Sequence, residues 1–267
     1  MTALPQADNL PAPVAPAPAA ARPPTPQGAW RELHRAACAP YRDAGRFAWH
    51  FARGKLARDP VFRALLASGW LPPGARVVDI GCGQGLLASL LASLLAAADA
   101  AARAGRWPAG WASAPAGVSY AGIELMPADA ARARAAFGQA AGAPRIACAD
   151  MREASLPACD VAVLLDVLHY VDHATQQAVL ERVRAALVPG GRLLLRIADT
   201  ARAPRYAWGQ WVDRVTARLR GHRAPPVFGR PLAQWEALLR HLGFRVTIVP
   251  MSRGTLFANV LLVADLS

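Results

Sequence analysis

Arg76-Val77-Val78-Asp79-Ile80-Gly81-Cys82-Gly83-Gln84-Gly85 is the stretch that decides the fold of this chain. Val77, Val78 and Ile80 make a short buried strand, and three glycines follow at alternate positions before a long apolar run begins at Leu86. A strand, a glycine turn and a helix in immediate succession form a nucleotide-type binding element. Glycines let the chain turn sharply and let a ligand approach the free N–H groups of the first helical turn. The dinucleotide fingerprint is G-x-G-x-x-G/A. Here Leu86 stands where its third small residue belongs, and Asp79 lies near the strand end, where a carboxylate would repel a pyrophosphate. A cationic ligand suits this arrangement better.

Downstream, strand and helix patterns alternate. Residues 118–123 read as a strand, 128–137 as a helix, 145–149 and 161–165 as strands, and 175–187 as a helix. Pro189-Gly190-Gly191 turns into a strand over 192–197. This alternation predicts a parallel sheet with helices on both faces. A helix over 232–242 then precedes two close strands, 244–249 and 259–264, which suggest an antiparallel hairpin. The predicted fold is α/β: a Rossmann-like sheet of seven strands, six parallel and one antiparallel. Upstream, residues 28–73 read as a helical cap of two or three short helices, with Asp59 capping the helix at 61–66. Residues 1–27, rich in proline and alanine, read as a disordered tail without the basic start and apolar centre of a signal peptide. Residues 74–267 form the main domain, and residues 200–230 an insertion carrying Tyr206, Trp208 and Trp211 on a short helix.

The motif from Val77 to Gly85 resembles motif I of class I S-adenosylmethionine-dependent methyltransferases, and the resemblance continues from Gly74 to Ala198. Glu124, closing the second strand in Tyr120-Ala121-Gly122-Ile123-Glu124, stands where that family holds both ribose hydroxyls. Asp150, in Cys148-Ala149-Asp150-Met151, stands where a carboxylate accepts from the adenine amino group. Asp166 ends the fourth strand. The resemblance implies S-adenosylmethionine as cofactor, held by Asp79, Gly81, Cys82, Gly83, Gln84, Gly85, Glu124, Leu125, Asp150, Met151 and Asp166. Asp79 and Asp150 could instead cap the elements that follow, Asp166 could be structural, and Cys82 reads as a packing residue. Glu124 lies 39 residues beyond Gly85, against roughly 20 in the related dinucleotide fold. A longer first helix and a loop with Trp107 and Trp111 fill the difference, which marks that loop as a specialised feature.

His169, three residues after Asp166, lies beside the expected point of methyl transfer. Methyltransferases of this type carry histidine there as a base or as a structural residue, and a base is needed only for a weakly nucleophilic acceptor such as a phenol. The acceptor site is expected from the added pieces, with Phe47 and His50 on one helix and Tyr206 and Trp208 on another. Aromatic side chains suit a flat or apolar acceptor; their alternative role is to hold the cap onto the sheet. The leader from Tyr41 to Leu56 is similar to methyltransferases encoded beside bacterial aryl-polyene synthesis, which implies an aromatic head group delivered on an acidic acyl carrier protein.

The formal charge of +12 comes almost wholly from arginine, Lys55 being the single lysine. Such a surface favours acidic partners, yet the arginines are scattered and no nucleic-acid-binding module is present. An RNA methyltransferase and a catalytically silent cofactor-binding protein therefore stand as alternatives to a small-molecule enzyme. Cys38, Cys82, Cys148 and Cys159 show no paired spacing, so neither a metal site nor a disulfide framework is expected, and a bacterial cytoplasm fits best. The longest apolar run, 86–98, falls short of the ~20 residues that cross a bilayer.

Overall fold

The computed structural model describes residues 25–95, 107–108, 110–138, 142–201, 226–252 and 258–266. Three helices open the chain: α1 (Pro26–Cys38), α2 (Arg46–Arg58) and α3 (Pro60–Ala67), with a 3-10 turn at Ala39–Arg42 between the first two. α1 begins inside the stretch expected to be tail. Thr25 accepts from the Gly28 N–H, and Pro26 takes a first-turn position where its missing N–H costs nothing. Asp59 caps α3 as the sequence predicts, accepting from Val61 N at 3.1 Å.

The strands follow as β1 (Arg76–Ile80), β2 (Ser119–Glu124), β3 (Arg145–Cys148), β4 (Cys159–Leu165), β5 (Leu187–Ala198), β6 (Phe244–Pro250) and β7 (Asn259–Leu266). Their helices are α4 (Leu86–Leu95), α5 (Pro127–Phe137), α6 (His173–Ala186) and α7 (Leu232–His241). The sheet order is β3-β2-β1-β4-β5-β7-β6. β1 to β5 pair in parallel, and β7 runs antiparallel to both β5 and β6. Six strands therefore point one way and one the other, as the βα alternation and the final strand pair predict. β5 starts earlier than expected, at Leu187, because that residue already pairs with Cys159 before the 188–191 turn shifts the register to Val161↔Arg192.

Period-two alternation along β1 sends its residues to two cores. Val77 joins Tyr41, Leu56, Leu65, Leu87 and Leu90 under the N-terminal helices and α4. Val78 and Ile80 join Leu164, Val179, Leu180, Val183, Trp235 and Leu239 under α6 and α7. Each fully buried leucine contributes about 1.5–3 kcal/mol, so both faces of the sheet are covered at comparable gain.

The Trp107–Trp111 pair meets edge to face at 5.1 Å. Ala112 N donates to Ala67 O, and Gly74 N to Ala116 O, so this loop lies against α3 at the amino ends of β1 and β2. That is the opposite end of the sheet from the glycine turn. The segment expected to carry Tyr206, Trp208 and Trp211 lies outside the described residues.

Candidate cofactor and acceptor site

Strand order reverses between β1 and β4, and in an open α/β sheet a ligand crevice forms beyond the carboxyl ends at such a switch point. The glycine turn after β1 and the 166–170 segment after β4 flank that crevice. Gly81, Gly83 and Gly85 all have left-handed backbones, with φ of 74°, 57° and 73°. They differ in what surrounds them. A Cβ on Gly81 would stand 2.2 Å from Val167 Cγ1, and one on Gly85 would stand 2.7 Å from Phe137 Cε2. A Cβ on Gly83 would meet nothing within 4 Å. Gly81 and Gly85 thus bring the protein's own parts together, while Gly83 leaves a cradle for a ligand.

Glu124 closes β2 at 8 % exposure. Its Oε2 accepts from Gly83 N and its Oε1 from Met126 N, each at 2.8 Å. Burial raises its carboxyl pKa, opposed by those two N–H groups. Leu125 beside it is 57 % exposed, an apolar surface open at the crevice. Asp79 is buried and accepts from the Tyr120 hydroxyl at 2.5 Å. Burial pushes its pKa up to about 7, the charge of Glu124 adds to the rise, and the Tyr120 bond opposes it. Burial also pushes the Cys82 thiol far up, which suits the packing role expected for it. Gln84 is buried, sends Nε2 to Asp129 at 3.2 Å, and leaves Oε1 with no hydrogen-bond partner. The Gln84 carbonyl accepts from the Tyr41 hydroxyl at 2.7 Å, which ties the N-terminal helices to the turn.

Asp150 follows β3 with its carboxylate held by Arg152, through the backbone N–H at 2.8 Å and the guanidinium at 2.9 and 2.5 Å. These bonds lower its pKa. Met151 is half-buried against the α6 side of the sheet. Asp166 differs from the other strand-end acids. Both its oxygens accept from the Arg196 guanidinium, whose Nη1 reaches Asp59 at 2.5 Å. Lys55 adds an ion pair to Asp59 at 2.8 Å and lies 4.0 Å from Asp166. Burial works against the Asp59 charge, but Arg196 and Lys55 hold its carboxyl well below the usual range. Of the candidate cofactor residues, Asp166 is therefore engaged in a structural ion cluster.

On the acceptor side, His169 sits in the 3-10 turn Leu168–Tyr170, its ring 4.1 Å from that of Tyr170. Its carbonyl accepts from Phe228 N at 2.8 Å. The buried Gln176 side chain donates to the carbonyls of Leu168, Val171 and Phe228 and accepts from Arg230. The chain therefore returns from residues 202–225 directly beside His169. Phe47 is exposed, stacks on Phe51 at 6.1 Å, and lies 4.8 Å from the Arg132 guanidinium of α5. His50 is also exposed on α2. Further along the same helix and at its cap, Lys55 and Asp59 meet Asp166 after β4 and Arg196 of β5. Sequence reasoning did not assign Tyr41, Tyr120, Gln176 or Arg196. Only Arg196 left a signal, as a lone charge in the apolar run Leu193-Leu194-Leu195-Arg196-Ile197.

Sheet order, glycine turn and strand-end acids define a Rossmann-like binding domain of the methyltransferase type. The model of a methyltransferase-domain family matches residues 48–249, and the chain belongs to that family. The match begins inside α2, so part of the helical cap is included in it. The fold is shared with an O-methyltransferase family protein from Burkholderia thailandensis, at a TM-score of 0.57 and 17% identity over 85% of this chain and 62% of that one. It is also shared with human N-acetylserotonin methyltransferase in complex with S-adenosylmethionine, at 0.55 and 19% over 92% and 63%. Magnesium protoporphyrin IX methyltransferase from Synechocystis gives 0.51 and 18% over 91% and 97%. The chain spans less than two thirds of the length of the first two. A search of curated proteins found no match. Among the described residues no helix is long and apolar enough to cross a membrane.

Proposed function

We propose that this protein is an S-adenosylmethionine-dependent methyltransferase acting on a small-molecule or carrier-bound, aromatic acceptor. The observation that carries the reading is the open Gly83 cradle facing Glu124, with Leu125 exposed beside it. Among the described residues, Asp79 and Glu124 are buried with no cation among their hydrogen-bond partners, an arrangement that favours a positively charged ligand over a pyrophosphate. The structural neighbours with bound cofactor support the same choice.

When bound, S-adenosylmethionine supplies a methyl group made electrophilic by its sulfonium. Glu124 would keep one lone pair on each oxygen for the ribose hydroxyls while still bonding Gly83 and Met126. Asp150 would exchange part of its Arg152 contact for the adenine amino group, with Leu125 and Met151 against the ring. Gly81, Cys82 and Gly85 would shape the turn, Gln84 would offer its unpartnered Oε1, and Asp79 would face the cationic end through the field of its charge. His169 would take the acceptor proton if the acceptor is a phenol, and Phe47, His50, Tyr206 and Trp208 would line the acceptor side. Alignment of the two reactants in a water-poor site supplies most of the acceleration for such a displacement. The exposed Phe47 and Tyr170, together with the leader's similarity to aryl-polyene-associated enzymes, favour an aryl acceptor.

The test is calorimetry with S-adenosylhomocysteine and with NAD, followed by labelled-methyl transfer to a panel of phenolic acids. Binding of the first alone, with transfer lowered about a hundredfold in His169→Ala, is the expected result. Tight NAD binding would overturn the cofactor. Transfer to RNA instead of any phenol would overturn the acceptor class.

A further inference from the structure

Arg196 is 2 % exposed and lies on β5 beside Leu165, the last residue of β4. Its carbonyl accepts from Asp166 N at 3.3 Å, and its guanidinium takes both oxygens of the Asp166 carboxylate. Asp166 is the one non-glycine residue among those described with a left-handed backbone, φ 60°. For a side chain other than glycine, that conformation persists where its surroundings enforce it. The next residue, Val167, fills the space under Gly81, and His169 follows two positions later. The remaining guanidinium nitrogen, Nη1, holds Asp59 at the α2–α3 joint. One buried side chain therefore touches the helical cap and the acceptor loop at once, and through Val167 it bears on the glycine turn.

We infer that Arg196 is a positioning residue for methyl transfer: it locks Asp166 in its left-handed turn and so fixes the 166–170 segment against both the glycine turn and the cap. This rests on the function proposed above. Its planar fork is what the geometry uses, since two nitrogens meet Asp166 and the third meets Asp59; a lysine keeps the charge but cannot span both. The Arg196 guanidinium bonds Asp166 and Asp59, neither of which is part of the Gly83–Glu124 contact, so its loss acts first on the acceptor loop and cap.

The test compares Arg196→Lys, Asp59→Asn and Asp166→Asn with the wild-type full chain, loaded with S-adenosylhomocysteine, by amide hydrogen exchange, calorimetry and steady-state kinetics. Asparagine at 59 keeps the helix cap while removing the charge that Arg196 holds at the α2–α3 joint, so this variant reads the cap side alone. Asparagine at 166 tolerates a left-handed backbone, so Asp166→Asn reads the loop side even if Arg196→Lys does not fold, with quickening confined to 166–171. In Arg196→Lys, exchange should quicken about tenfold or more in peptides covering 166–171 and 46–59, with the strand cores still protected. In Asp59→Asn the quickening should be confined to 46–59. S-adenosylhomocysteine affinity should stay within about threefold, and on the best acceptor kcat should fall about tenfold with cofactor KM little changed. A general loss of protection, or unchanged exchange in both segments of a protein that still binds S-adenosylhomocysteine, overturns the inference and leaves the proposed function standing. A wild-type chain that binds no S-adenosylhomocysteine overturns the proposed function instead. If no acceptor is turned over, the exchange pattern decides alone.

Discussion

The two sides of the crevice neutralise their acids differently. On the β1–β2 side, Asp79 and Glu124 are buried and bonded to a hydroxyl and to backbone N–H groups. On the β4–β5 side, Asp59 and Asp166 are met by Arg196 and Lys55, two charges against two. Residue type at a strand end therefore does not define a role. Acids without a cation leave negative potential for a positively charged ligand, while an acid already matched by a buried guanidinium holds the protein together. Four acids that look alike in sequence thus differ in their surroundings, with Asp150 between the two sides, half-buried and paired to the exposed Arg152.

The strongest blow to this distinction would come from Arg196→Met. Breaking a buried ion pair costs about 3–5 kcal/mol; here the loss should lie near the lower end, because Asp59 keeps its Lys55 pair and Asp166 keeps about a third of its side-chain exposure. Denaturant unfolding should show that loss. A variant as stable as the wild type would mean that the cluster fastens nothing. Within the glycine turn, Gly81→Ala should cost about 1–3 kcal/mol from the collision with Val167, added to the left-handed strain. Gly83→Ala, with open space around it, should show the backbone strain alone, about 1–2 kcal/mol, yet weaken S-adenosylhomocysteine binding more than Gly81→Ala does per unit of stability lost. Equal behaviour of the two in melting and calorimetry would remove Gly83 from the cradle.

Glu124→Ala should leave the fold largely intact and lower cofactor affinity about tenfold to a hundredfold, the worth of one charged hydrogen-bonding group. Unchanged affinity by calorimetry would move the ribose elsewhere. The smallest effect concerns pH. Asp79 carries a raised pKa of about 7, so the folded protein holds a proton that the unfolded chain releases at lower pH. Its contribution to stability is full below the ordinary carboxyl range and is lost as pH rises through about 7. S-adenosylmethionine, being cationic, should bind the deprotonated form better, so affinity should rise severalfold between roughly pH 6 and 8. Asp79→Asn should flatten that slope. A slope that survives the substitution would assign the proton to another group.

Much of this site was legible from residues alone. The turn 81–85, Glu124 after β2 and Asp150 after β3 sit at the ends of their strands because hydrophobic alternation and glycine spacing are local signals. The Asp59 cap was equally local, needing only Pro60 and the apolar residues after it. Three features were not. The start of α1 at Pro26 was hidden by the proline-rich composition before it. The Trp107–Trp111 loop stood out as a specialised feature, but its position at the amino ends depends on contacts with Ala67 and Gly74. Lys55 and Asp59 meet Asp166 and Arg196 at the ends of β4 and β5 through contacts between elements far apart in the chain, which the sequence of α2 does not encode.

The sequence by itself determined the order of strands and helices, the left-handed glycine turn and the candidate acids, since each follows from interactions within a few residues. Only the tertiary structure decided which acids remain open to a ligand. Arg196 and Asp59 are 137 positions apart, and Tyr120 is 41 positions from Asp79. Whether a carboxylate is matched by a cation, a hydroxyl or a backbone N–H depends on through-space distances of a few ångströms, which exist only once both cores have closed around the sheet.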